Sequence, residues 1–327
     1  MRTVLVTGAA GFIGMHTCIK LLKNYKVIGL DNLSSYYDVK LKKKRIKILN
    51  TYKNFFFNKL DICNNKKLEI IFKKYKPEYV INLAAVAGVR HSLVNPGPYI
   101  QTNLVGFGNI IHLSKLYRVK HFVYASSSSV YGGNTKKIAE EKDVVDMPVS
   151  LYAATKKSNE LIAFNYSKLF LIPTTGLRFF TVYGPWGRPD MALFMFVDSI
   201  IKNKKINVFN RGKMSRDFTY IDDIVEGIIK VLKKPKKPKK KKIAPYAIFN
   251  IGSGKSIKLM DFINEIEKNL KKISKKKLMP MQLGDVKRSL SSVNKLNKWV
   301  GYKAEFNIQK GIRNFVDWYL KYYKIKL

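Results

Sequence analysis

Residues 1–22 read MRTVLVTGAAGFIGMHTCIKLL, and this stretch decides the fold. Residues 2–6 form a short apolar run of strand length. Gly8, Gly11 and Gly14 follow at G-x-x-G-x-x-G spacing, and Phe12, Ile13, Cys18, Leu21 and Leu22 supply the apolar face of a helix. Strand, glycine turn and helix together predict a dinucleotide-binding start. Glycines let the backbone turn tightly and approach a pyrophosphate, whose charge then sits at a helix N-terminus. The first gap is one residue longer than in the standard G-x-G-x-x-G. The next strand, residues 26–30, ends in Asp31 and Asn32. A carboxylate there is placed to accept from the adenosine ribose hydroxyls, and its charge would repel a 2′-phosphate, so NAD is expected rather than NADP.

Strand and helix patterns alternate from this start. Strands are expected near residues 2–7, 26–30, 54–58, 78–82, 120–125 and 173–178, and helices near 12–24, 65–75, 98–117 and 151–170. Such alternation predicts an α/β fold, a Rossmann-type doubly wound parallel sheet. Asp61 and Ile62 fall just past the third strand, where an adenine edge is read. Leu83, Ala84 and Ala85 follow the fourth and let a cofactor pass close. From about residue 180 the pattern breaks into loops, YGPWGRPDM and FNRGKMSRDFTYIDDI. A strand at 247–250 and helices near 259–271 and 308–322 come later. Residues 1–178 are expected to form the NAD-binding domain, with 218–252 returning to it. Residues 179–327 should make mainly a smaller, interwoven substrate-binding unit.

The chemistry is carried by YASSSSVYG, with serines at 126–129, and by VSLYAATKKSNE, with Tyr152 and Lys156. A phenol and an ammonium four residues apart share one helix face. The cation favours the phenolate, so Lys156 is expected to pull the Tyr152 pKa down. A serine hydroxyl from the strand end can hold a substrate oxygen in the same place. This is equipment for moving a proton on an alcohol while a hydride leaves the same carbon. Tyr36/Lys40 and Tyr322/Lys326 repeat the spacing without a serine-rich strand before them, and are read as surface pairs.

Composition bounds the rest. The chain has 327 residues, 46% of them hydrophobic, enough for a sizeable core. No run approaches the ~18 apolar residues of a membrane span. The chain opens on a strand with no signal peptide ahead of it, so a cytoplasmic location without membrane attachment is expected. Cys18 and Cys63 make neither a disulfide framework nor a metal site, and no metal is expected. The net charge of +40 comes mostly from lysine, alongside abundant Asn, Ile, Phe and Tyr, the residues that AT-rich codons supply. The basic run at residues 233–242 lacks aromatics to stack on bases and reads as a padded surface loop, so no specific nucleic acid partner is expected. Only ten residues are arginine. Six of them, Arg90, Arg178, Arg188, Arg211, Arg216 and Arg288, stand next to Gly, aromatic or Asp-containing loop segments, where a planar fork has a use. They point to a substrate with phosphates, and a carboxylate is a further candidate.

On these residues the chain resembles the extended short-chain dehydrogenase/reductase superfamily of nucleotide-sugar enzymes, and within it the UDP-glucuronate 4-epimerases. The resemblance spans nearly the whole length. It is carried by TGAAGFIG, DNLSSYYD, LAAVAGVRHSL, YASSSSVYG, PVSLYAATKKSNE, LRFFTVYGPWGRPDM, RGKMSRDFTYIDDI and MQLGDV. It implies tightly held NAD that takes a hydride from C4 of a UDP-sugar. Tyr152 would take the 4-hydroxyl proton, Lys156 would hold the nicotinamide ribose, and Ser127 would bond the 4-oxygen. It also implies that Ser128, Ser129, Thr181 and Arg188 surround the sugar carboxylate, that Arg216, Arg288 and Arg90 meet diphosphate, and that Asn103 lies near the active-site loops. A homodimer through the helices at 98–117 and 151–170 is a further implication. The family commonly has MQPGDV, a tyrosine-containing stretch and Ala-Asp where this chain has MQLGDVKRSLSS.

Three other functions fit parts of the pattern. A UDP-glucose or UDP-N-acetylglucosamine 4-epimerase needs no arginine at the sugar, so the direction of Arg188 discriminates. A decarboxylase needs an acid beside the serine strand end. A non-catalytic NAD-sensing or RNA-binding protein on the same fold would be marked by loss of Tyr152 or Lys156, and both are present.

Overall fold

The computed structural model describes residues 1–133, 136–238 and 243–326. Seven parallel strands form the central sheet: β1 (Thr3–Thr7), β2 (Lys26–Asp31), β3 (Phe55–Lys59), β4 (Tyr79–Asn82), β5 (His121–Ser127), β6 (Thr174–Phe179) and β7 (Tyr246–Ile251). Their spatial order is β7-β6-β5-β4-β1-β2-β3. The chain therefore reverses direction across the sheet between β1 and β4, and a crevice opens beyond the carboxyl ends of those two strands. This is the expected doubly wound sheet.

Because side chains alternate along a strand, Val4 and Val6 of β1 face one core and Leu5 the other. The first core also takes Phe12, Met15 and Leu21 from the Phe12–Leu21 helix and Ile224, Val225 and Ile228 from the Ile221–Lys233 helix. The second takes Leu68, Ile71 and Phe72 from Asn65–Tyr75 and Phe107, Ile110 and Ile111 from Phe107–Leu116. Three layers result, helices on both faces of the sheet.

Local sequence explains where the site-bearing helix starts. Ser150 caps Leu151–Phe170, its hydroxyl accepting from the Ala153 amide at 3.1 Å, so Tyr152 sits in the first turn. The helix expected over 98–117 is interrupted: Gly97–Ile100 and Phe107–Leu116 are α-helical, while Gln101–Gly106 forms a π-helical turn. That turn holds Asn103, almost fully buried. Its side-chain oxygen accepts from Val86 N at 2.9 Å and its amide donates to Val86 O at 3.0 Å, pinning the loop after β4.

Beyond β6 the chain builds three small two-stranded pairs. Thr181–Tyr183 pairs with Phe218–Tyr220, Ser215–Arg216 with Ile257–Lys258, and Ile206–Val208 with Lys276–Leu278. β7 pairs in parallel with β6 and forms the sheet edge. Part of the basic run at 233–242 lies outside the described residues. No helix among the described residues is long and apolar enough to cross a membrane.

Candidate active site

One cleft of about 1390 Å³ runs over the carboxyl ends of the strands. It is lined by the residues expected to hold the cofactor, to move the proton and, Arg178 and Arg211 apart, to meet the substrate. Its volume exceeds the 300–1,000 Å³ of ordinary ligand pockets, so it has room for two large ligands side by side.

At one end lies the glycine turn. Gly8 has φ +70°, and a Cβ there would stand 2.9 Å from Ala84 N. A Cβ at Gly14 would lie 2.0 Å from Gly8 O, and one at Gly11 would lie 2.9 Å from it. The turn thus excludes any side chain, which is the close backbone approach that a pyrophosphate requires. Phe12 and Ile13 follow at the helix start. Asp31 accepts from Leu33 N at 2.8 Å through Oδ1 and from Ala10 N at 3.1 Å through Oδ2. Burial raises its pKa, opposed by those amides and by the Lys42 and Arg45 cations. Asn32 donates to Asp61 at 2.8 Å, and Asp61 also accepts from Cys63 N at 2.8 Å. Burial would raise the Asp61 carboxyl, but these bonds outweigh it and leave the pKa low. Across the crevice, Thr7 Oγ1 accepts from Ala84 N at 3.1 Å and donates to Asn82 at 2.6 Å, fixing the start of the Leu83-Ala84-Ala85 stretch. These residues fit a dinucleotide.

In the middle stand Tyr152, Lys156 and the serines ending β5. Ser127 faces the Tyr152 phenol closely enough to lower its pKa. Ser127 Oγ accepts from Ser129 Oγ at 2.9 Å and Ser129 N at 3.2 Å, so Ser127–Ser129 form one hydroxyl cluster. Ser128 completes it along the cleft wall. Burial pushes the Tyr152 pKa up, while the Ser127 hydroxyl and the Arg188 charge lower it. Lys156, expected to supply that lowering, is not among these influences. The lysine is buried, donates to Ala125 O at 2.8 Å and has its Nζ 6.0 Å from the Tyr152 ring centre. Desolvation brings its own pKa down to about 8.

At the far end, Arg188 donates through Nε to Asp190 at 3.0 Å and through Nη2 to Asp190 at 2.5 Å and Ala87 O at 3.3 Å. Its guanidinium carbon lies 5.5 Å from the Tyr36 ring centre. Thr181 lines the wall nearby. Arg216 donates to Asp285 at 2.7 Å, and Arg90 stands 4.0 Å from the same carboxylate. Arg288 joins them along the cleft through the bridge between Ser215 and Arg288. Buried Asp217 ties this end together, accepting from Ser253, Gly254 and Ser291.

Three sequence readings need correction. Arg178 is not in the cleft; it forms a buried pair with Glu160 behind β5, Nε and Nη2 each at 2.8 Å. Arg211 is exposed and outside the cleft lining. Tyr36 is not a surface residue; its hydroxyl donates to Ala87 O at 2.6 Å inside the cleft. The sequence also missed Ser92, whose hydroxyl accepts from Tyr152 N at 3.2 Å, and Glu160, which accepts from Ser126 at 2.6 Å. Glu160 lies two helical turns past Tyr152, a spacing that could have announced it. Among the described residues no group of acids, histidines and cysteines could hold a metal.

Fold and site define an NAD-dependent enzyme of the short-chain dehydrogenase/reductase type. The chain belongs to the NAD dependent epimerase/dehydratase family, whose pattern matches residues 4–252. It is 50% identical over 332 aligned positions to Protein CapI of Staphylococcus aureus, covering 98% of this chain and 99% of that one. It is 42% identical to a probable UDP-glucuronate 4-epimerase of Rhizobium meliloti, covering 98% and 97%. The crystal structure of UDP-glucuronic acid 4-epimerase from Bacillus cereus, in complex with UDP-glucuronic acid and NAD, superposes with a TM-score of 0.91. That protein is 33% identical, with 98% of this chain and 100% of the other covered.

Proposed function

We propose that this enzyme, an NAD-dependent UDP-sugar 4-epimerase, interconverts UDP-glucuronate and UDP-galacturonate. The observation that carries the substrate is Arg188. In a chain that uses lysine for most charges, it stands in the cleft within electrostatic reach of Tyr152, a planar fork suited to a carboxylate.

Tyr152 takes the proton of the sugar 4-hydroxyl, and Ser127 donates to the same oxygen as it becomes a carbonyl. NAD, held by the glycine turn and Asp31, would supply the acceptor for the C4 hydride and the source of the hydride returned to the opposite face. Lys156 holds the coenzyme ribose. The 4-keto intermediate is a β-keto acid, which loses CO₂ when its carboxylate aligns with the carbonyl. Arg188, Ser128, Ser129 and Thr181 pin that carboxylate out of line. The acid nearest the serine strand end, Glu160, is neutralised by Arg178 and faces away from the cleft, which disfavours decarboxylation. Arg216, Arg288 and Arg90 take the diphosphate, displacing Asp285 from the arginines it bridges.

The helices Phe107–Leu116 and Leu151–Phe170, with the turn before the first, leave Val105, Leu116, Leu161, Phe164 and Phe170 exposed. This supports a homodimer paired through them, which sedimentation checks. The substrate is tested by incubating purified protein with UDP-glucuronate, without added NAD, and following the sugar by NMR. Formation of UDP-galacturonate is expected. Turnover of UDP-glucose or UDP-N-acetylglucosamine in its place would overturn the assignment.

A further inference from the structure

The helix Val39–Leu49 reads VKLKKKRIKIL, with lysine at five positions and arginine at one. That arginine, Arg45, is fully buried at 0% exposure, and no carboxylate lies within ion-pair distance of it among the described residues. A buried cation without a counter-ion is costly unless its donors are used. Four acceptors receive the Nη donors, while Nε has no partner among the described residues. Nη1 donates to Ala10 O at 2.9 Å and to the Tyr37 hydroxyl at 2.7 Å. Nη2 donates to Trp186 O at 2.5 Å and Gly187 O at 3.2 Å.

These acceptors belong to two different parts of the site. Ala10 lies in the glycine turn, between Gly8 and Gly11. Trp186 and Gly187 form the turn that presents Arg188. Trp186 has φ +62°, a left-handed conformation disfavoured for a residue with a Cβ, so something outside the turn must hold it. Two carbonyl acceptors on one guanidinium do so, together with Trp186 ring contacts to Trp318 and Tyr322 at 5.3 and 5.2 Å. Tyr37 adds a second link, because its ring centre lies 6.0 Å from the Arg188 guanidinium while its hydroxyl accepts from Arg45.

We infer that Arg45 is a positioning residue for sugar specificity: its planar fork clamps the Trp186–Gly187 turn to the glycine turn and thereby aims Arg188 at the substrate carboxylate. The specificity part rests on the substrate proposed above; the clamp itself does not. Lysine has the charge but no planar fork, so it cannot hold three carbonyls and a phenol at once.

Arg45→Lys is therefore the test, with two readouts on the NAD-loaded protein. Hydrogen exchange over residues 183–187 should quicken more in Arg45→Lys than in Arg188→Leu, which leaves the Arg45 bonds to that turn in place. By calorimetry, Arg45→Lys should weaken UDP-glucuronate binding at least tenfold and UDP binding less than twofold. The Arg45→Lys/Arg188→Leu double variant should bind no worse than Arg188→Leu alone, because Arg45 acts through Arg188. Unchanged exchange, or equal losses for both ligands, would overturn the inference. Should Arg45→Lys fold poorly, Tyr37→Phe removes one acceptor and should reproduce part of the same selective loss; an equal loss for both ligands would again refute it. If exchange quickens while wild-type protein shows no preference for UDP-glucuronate over UDP, the clamp stands and the proposed substrate falls.

Discussion

Replacing Arg178 with methionine removes three buried hydrogen bonds at once. Nε and Nη2 leave Glu160, each at 2.8 Å, and Nη1 leaves the Tyr131 hydroxyl at 2.9 Å. Arg178 and Glu160 are 3% and 5% exposed, so the orphaned carboxylate cannot reach water and keeps only the Ser126 hydroxyl as donor. Breaking a buried pair from one side costs about 3–5 kcal/mol. Adding Glu160→Leu removes the stranded charge, and the double variant should lose only about 1–2 kcal/mol. The double variant should therefore be about 2–3 kcal/mol more stable than Arg178→Met alone, and because Glu160→Leu alone strands the Arg178 cation at a similar cost, the coupling between the two positions is strong. Urea unfolding of the four proteins of this cycle measures it directly. The network joins the end of β5, through Ser126, to the helix that carries Tyr152 and Lys156. Arg178→Met should thus also slow turnover, by loosening Ser127 against Tyr152. Additive losses, or an Arg178→Met cost below about 1 kcal/mol, would refute the claim that this pair braces the site.

Tyr152→Phe should lower kcat by roughly 10²–10⁴-fold while NAD stays bound, measured by turnover and by coenzyme content of the purified variant. Arg188→Leu should harm UDP-glucuronate turnover far more than UDP-glucose turnover; equal effects would argue against a carboxylate contact. Because burial raises the Asp31 pKa, its carboxylate protonates at a higher pH than an ordinary aspartate as the solution is acidified. NAD affinity should then fall along that same limb, and Asp31→Asn should flatten it. Lys156 has a folded pKa of about 8 against 10.5 for the free side chain. The unfolded chain binds more protons between those values, so this group makes stability rise with pH across that window. Lys156→Met should abolish turnover, stabilise the fold at pH 7 by roughly 1–3 kcal/mol and lose that rise, as read by urea unfolding at pH 7 and 10.

Local patterns were legible and long-range ones were not. The glycine turn, Asp31 and the Tyr152–Lys156 helix announce themselves because each is a short-range arrangement: a strand end, a turn, one helix face. The Val39–Leu49 helix was missed because its apolar residues Leu41, Ile46 and Leu49 are diluted by lysines, and its buried polar face, Lys42 and Arg45, reads as solvent-facing. Ala192–Ile201 was missed for the opposite reason, being so apolar that no period stands out. Arg178 reads as one more substrate-facing arginine because its partner Glu160 is 18 positions away on another element. The role of Tyr36 depends on Arg188 and Ala87, which only the tertiary fold brings to it. Lowering of the phenol was given to Lys156 from spacing alone, which cannot foresee that Ala125 O captures the ammonium.

The most direct test follows a deuterium placed at C4 of UDP-glucuronate through one pass over the NAD-loaded enzyme in ordinary water. If Tyr152 handles only the proton while the hydride stays in the cleft and returns to the same carbon, the galacturonate product keeps its deuterium at C4. Loss of that label to solvent would contradict the account.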